Sequence, residues 1–187
     1  MIGEHISLLH LALDRIDARQ VEHMGECLVH TLSRGSRLLI AGNGGSAAHA
    51  QHLSAELVGR YQDDTREPCS AIALHADTSS VTAVANDFGW EDVFARQIRA
   101  HGRPGDAFLA ISTSGQSSNL VRAAEVACRR RLRTLALTGP APNPLAACSE
   151  LSICIAPGAT ATIQEVHQVI IHLLCEVIDE ALGQGVA

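Results

Sequence analysis

Apolar residues fall into five short runs, Arg37–Ala41, Ser70–Leu74, Ala107–Ile111, Thr134–Leu137 and Leu151–Ile155. None alternates cleanly with polar residues, which is the pattern of strands buried on both faces. Helical segments are predicted between them at Ser46–Arg60, Ser79–Ala85, Glu91–Ala100 and Ser117–Arg131. A long helix is predicted at each end, about Glu4–Ser33 and Thr160–Leu182. Strand–helix alternation of this kind predicts an α/β fold, with a five-stranded parallel sheet covered by helices on both sides. No repeat, low-complexity tract or linker divides the chain, so residues 1–187 are expected to form one domain.

In such sheets ligands bind at the carboxyl ends of the strands, where strands lead into helices. Two of these loops stand out. The first run is followed by Gly42-Asn43-Gly44-Gly45-Ser46, and the third by Ser112-Thr113-Ser114-Gly115-Gln116-Ser117-Ser118. The second loop sets five hydroxyls before a predicted helix, where free N–H groups and the helix dipole favour an anion such as phosphate. Helix capping by Ser114 or Ser117 accounts for one hydroxyl but not for five. The glycines of the first loop suit either close backbone approach to a ligand or a tight turn. As a dinucleotide fingerprint it is weak, because its sixth position is Ala47.

Composition narrows the chemistry. All 14 basic residues are arginine, and the absence of lysine excludes P-loop, Schiff-base and pyridoxal-phosphate mechanisms. A 47% hydrophobic and 18% charged composition is that of a globular protein, and the net charge of −6 argues against non-specific nucleic-acid binding. The six cysteines form no CxxC pair and sit among apolar neighbours, as small buried thiols in a reducing compartment do. With no apparent leader and no long apolar stretch, a cytoplasmic protein without a membrane segment is expected.

His52 and Glu56, four residues apart on a predicted helix, share one face and can serve one metal; a surface His–Glu pair is the commoner use of that spacing. Gln164, Gln168 and His172 recur at i, i+4, i+8 on the last helix. Asn86-Asp87 reads locally as a capped turn ending a short helix. The run Arg129–Arg131 is a solvated helix end, too small to argue for nucleic acid.

Taken in order, four blocks resemble the phosphoheptose isomerases of the sugar-isomerase (SIS) superfamily. They are Gly42–Arg60, Ala83–Gly89, Ile111–Ser117 and Ile163–His172, and the similarity runs from about residue 5 to 182. The resemblance implies a flavodoxin-like three-layer αβα sandwich and a homotetramer. It implies one zinc ion per active site, with the site shared between subunits. The implied activity interconverts D-sedoheptulose 7-phosphate and D-glycero-D-manno-heptose 7-phosphate, the entry to heptose nucleotides. Position by position it implies zinc ligands His52, Glu56, Gln164 and His172, and phosphate contacts from Ser112, Thr113, Ser114 and Ser117. Asn43, Gly44, Gly45, Ser46, Asn86 and Asp87 would line the sugar site, with Glu56 and Gln164 also against substrate.

The chemistry implied is proton transfer through an enediol, with Glu56 as base and His172 as acid. The chain departs from the family at His49 and Ala161, where acidic residues are frequent, and at Gln116, where Asn is more common. The superfamily also holds non-catalytic phosphosugar-binding regulators and a replication-initiator-associating protein that lacks the Glu and the last His. This chain keeps both.

Overall fold

In the computed structural model, which describes residues 2–156 and 158–183, five parallel strands form one sheet in the order β2-β1-β3-β4-β5. They are β1 (Leu38–Gly42), β2 (Ala71–Ala73), β3 (Ala107–Ser112), β4 (Arg133–Thr138) and β5 (Leu151–Cys154). Every residue of β1 and β3 is buried, as their unalternating apolar character predicts.

Successive side chains point to opposite faces and feed two cores. Leu38, Ile40, Leu109 and Leu137 join a core with α1 (Ile2–Leu13), α2 (Ala18–Leu32), α3 (Gly45–Val58) and α8 (Thr160–Leu182). Leu39, Ala41, Phe108 and Ala136 join the other, with α5 (Val93–His101), α6 (Ser118–Arg129) and α7 (Pro144–Ala147). α4 (Thr78–Phe88) lies on that second side, packed on α5. The three-layer α/β sandwich and its flavodoxin-like strand order are as expected. No described helix is long and apolar enough to cross a membrane.

The expected single helix Glu4–Ser33 is instead two, α1 and α2. The helix is interrupted at Asp17, which adopts an extended conformation (φ −80°, ψ 102°) and accepts a hydrogen bond from the Arg19 N–H. An aspartate is a better N-cap than a mid-helix residue, because it satisfies donors that otherwise have no intrahelical partner. The short α7, begun by Asn143 and Pro144, was hidden in a proline-containing segment. α4 runs on to Phe88, so Asn86 and Asp87 lie in its last turn and Gly89 caps it. Of the six free cysteines, Cys27, Cys69 and Cys175 are buried as expected, but Cys128 is exposed.

α2 supports α8, which carries much of the site. A Cβ at Gly25 would fall 2.6 Å from Val177 Cγ1 and 2.9 Å from its Cβ, on a side chain too stiff to give way. Gly25→Ala gains about 1 kcal/mol of helix propensity but loses about 1–3 kcal/mol to overpacking. A net loss of stability is expected in a urea titration; an unchanged midpoint would show that the two helices can move apart freely.

Candidate active site

Strand order reverses between β1 and β3: the chain leaves β1 for β2 on one side and β3 for β4 on the other. A crevice therefore opens at their carboxyl ends, with Gly42–Ser46 on one flank and Ser112–Ser118 on the other. The flanks are joined by a reciprocal amide pair. Asn43 Nδ2 donates to Asn119 Oδ1, and Asn119 Nδ2 donates to Asn43 Oδ1, both at 3.0 Å. Asn119 is buried on α6, and nothing in its local sequence singled it out. Asn43 thus braces the crevice with its side-chain amide. Gly44 caps α3 at φ 56°, a conformation most side chains resist. Ser46, in the first turn of α3, is buried.

In the second loop the hydroxyls cluster. Ser112 Oγ lies 3.3 Å from Ser117 Oγ and 3.5 Å from Ser114 Oγ, and it accepts from the Gly115 N–H at 3.1 Å. Ser117 occupies the N-cap of α6 but makes no side-chain cap bond, leaving its hydroxyl and the helix N-terminus available to an anion. Ser114 instead accepts from the Gln116 N–H. Thr113 completes the turn beside Gly139. Gly115, at φ 63°, is held by the Leu145 N–H on its carbonyl, so α7 fixes the loop from behind.

At the facing surfaces of α3 and α8, His52 Nε2 lies 2.9 Å from His172 Nε2 and 3.5 Å from Glu56 Oε1. The Tyr61 ring packs against His172 with centroids 5.5 Å apart. Three of the four residues named as metal ligands thus converge within a single chain. Gln164 does not join them: its amide lies against Gly45, two turns nearer the start of α8, and Gln168 contacts His172 at 2.9 Å in its place. Asn86 and Asp87 are exposed on α4 and bond to each other, with no hydrogen bond to this cluster among the described residues.

Two imidazole nitrogens and a carboxylate are a donor set that zinc accepts. Their spacing here is that of hydrogen-bonded side chains, however. No group of three or more His, Cys, Asp or Glu among the described residues is set out as a coordination shell. The residues fit the metal in donor type, and the rings must separate slightly to admit it. A concavity of about 570 Å³ lined by Cys128, Leu132, Thr134 and Cys148 lies toward the opposite ends of the strands and contains none of these groups.

Behind the cluster lies a fully buried histidine. His167 Nε2 meets the Thr138 carbonyl at 3.1 Å; a carbonyl only accepts, so Nε2 carries the proton, while Nδ1 has no partner among the described residues. Burial, with repulsion from His49, pushes its pKa down to about 4. Burial also lowers His49, with His52 adding to the effect, and lowers His75. Cys175, beneath Glu56, is pushed up to about 12, first by burial and then by that carboxylate, which leaves its thiol inert.

The SIS domain family model matches residues 4–139. The phosphoheptose isomerase of Streptomyces coelicolor is 56% identical over 97% of this chain and 79% of its own length. Among solved structures, the phosphoheptose isomerase of Neisseria gonorrhoeae aligns with a TM-score of 0.88 at 35% identity, covering 96% of this chain and 97% of that one. That of Francisella tularensis gives 0.91 at 31% identity and covers 96% of each.

The buried histidine makes the fold acid-sensitive. Unfolded, His167 takes a proton near pH 6.5; folded, it resists until about 4, so the unfolded state binds more protons in between. Stability is therefore lost as pH falls through that window, by up to about 1.4 kcal/mol per pH unit from this ring. His49 and His75 act in the same direction. Urea unfolding across the window should show a shallower loss in His167→Gln than in wild type. An equal slope would mean that His167 contributes nothing to acid sensitivity.

Proposed function

The chain belongs to the SIS family and, within it, to the phosphoheptose isomerases, and on that footing we propose that His52, Glu56 and His172 are its catalytic centre. The enzyme interconverts sedoheptulose 7-phosphate and D-glycero-D-manno-heptose 7-phosphate, an aldose–ketose isomerisation in heptose biosynthesis. The observation that carries the assignment is the convergence of the Glu56 carboxylate and His172 imidazole on His52, beside the crevice flanked by the hydroxyl-rich loop.

In the ketose-to-aldose direction the Glu56 carboxylate takes a proton from C1, giving an enediol, and the proton is returned at C2. His172 is the acid that passes a proton between the two sugar oxygens as the carbonyl changes place. Ser112, Thr113, Ser114 and Ser117, with the α6 N-terminus, hold the phosphate, and that remote binding keeps the reacting carbons in place. Asn43, Gly44, Gly45 and Ser46 form the facing wall, and Asn86, Asp87 and Gln164 complete the sugar contacts.

Zinc is the proposed cofactor, one per site, held by His52, Glu56 and His172, with Gln164 as the fourth ligand after side-chain rotation. When bound, it polarises the carbonyl–hydroxyl pair and stabilises the enediolate charge. Support for a homotetramer comes from α1, whose Ile2, Ile6, Leu8 and Leu11 are exposed. A cytoplasmic setting suits six free thiols. The non-catalytic reading is disfavoured by the presence of both Glu56 and His172.

Glu56→Gln should lower kcat by about 10²–10⁴-fold and leave substrate binding largely intact, measured by aldose formation and by calorimetry. A near-normal rate would rule out Glu56 as the base. Chelation should abolish turnover and stoichiometric zinc restore it, with metal analysis giving one zinc per chain. Full activity in zinc-free protein would remove the metal from the proposal.

A further inference from the structure

Arg66 is the most heavily engaged charged side chain near the site, and it is buried with Asp179. Its Nε donates to Asp179 Oδ1 at 2.7 Å. Nη2 donates to the Glu56 carbonyl at 3.0 Å, and Nη1 to those of Leu57 at 3.2 Å and Glu67 at 2.8 Å. The Glu56 and Leu57 carbonyls belong to the last turn of α3, where helix geometry leaves carbonyls unpaired and the dipole favours a cation. Arg66 therefore caps α3 from a distance at the residue that carries the base. Asp179 lies two turns along α8 from His172.

The other oxygen of Asp179 accepts the Gln62 and Asp63 N–H groups, each at 3.0 Å. These bonds fold the chain after α3 back over α8 and lay Tyr61 against the His172 ring. One buried ion pair thus holds the backbone of Glu56, the helix of His172 and the ring beside His172.

We propose that Arg66, acting through Asp179, is a positioning residue that sets the separation and register of α3 and α8 at which Glu56 and His172 serve one substrate. The inference rests on the assignment of Glu56 and His172 as the acid–base pair. It differs from a purely structural role in its kinetic consequence. A clamp that only holds the fold changes melting and leaves the turnover of folded protein alone; a positioning clamp lowers turnover in protein that is still folded.

Arg66→Lys separates the two roles, because a single ammonium can reach Asp179 but cannot also fork to both carbonyls. In folded variant protein, kcat should fall about ten- to a hundredfold, as displaced catalytic groups do. KM should stay within about threefold, since the phosphate contacts lie on another helix. Zinc should also be lost to a competing chelator faster than from wild type.

Wild-type kcat and zinc retention in Arg66→Lys, with only a lower melting temperature, would overturn the proposal. If Arg66→Lys does not fold, Asp179→Asn is read by the same measurements. Unchanged kcat in the clamp variant beside an inactive Glu56→Gln removes the positioning role alone. Full activity in Glu56→Gln removes the acid–base assignment, and a folded wild-type protein that stays inactive when zinc is supplied overturns both.

Discussion

The packing of α8 against the sheet and α3 is the constraint from which the site follows. One side of this helix is apolar and buried, through Ile163, Val166, Ile170, Ile171, Leu174 and Ile178. Each such side chain contributes about 1.5–3 kcal/mol on leaving water. That burial fixes the rotation of α8 about its axis, and the rotation in turn directs Gln164, Gln168 and His172 along a single line toward α3. His52 and Glu56 occupy the matching line on α3, one turn apart. The polar cluster is thus aimed by apolar packing on the reverse side of the same helices.

Much of this was legible in the sequence, for identifiable reasons. Strands buried on both faces leave unbroken apolar runs, so β1, β3 and β4 lay within a residue or two of their expected positions. Helix period 3.6 places residues four apart on one face, which paired His52 with Glu56 and Gln168 with His172. The break at Asp17 was obscured because apolar periodicity continues across it, and only the capping preference of aspartate marks it. Arg66, Tyr61 and Asn119 gave no local signal. Their roles arise from partners more than 70 residues away along the chain, as in Asn43–Asn119 and Arg66–Asp179.

The absence of lysine bears on the same geometry. A Schiff base is unavailable, and the proposed carboxylate–imidazole cluster offers proton transfer without one. The hydroxyl loop likewise offers neutral donors and a helix N-terminus where an ammonium group would otherwise serve. Phosphate held in this way depends on loop shape rather than on a mobile cation. The backing of Gly115 by Leu145, and of Ser112 by the Gly115 N–H, maintains that shape.

The Asn43–Asn119 pair determines how the crevice responds to its surroundings. Two neutral amides exchanging two hydrogen bonds carry no net charge, so neither salt nor a change in acidity loosens them, as either would an ion pair. The width of the crevice is therefore buffered against ionic conditions, even though the histidines behind it are not. The pair is also self-complementary, so a change to either partner leaves the other with a donor and an acceptor unmatched. A substitution at one position therefore costs less when the other is changed to match, so the chemistry of the β1 loop and that of α6 form one unit.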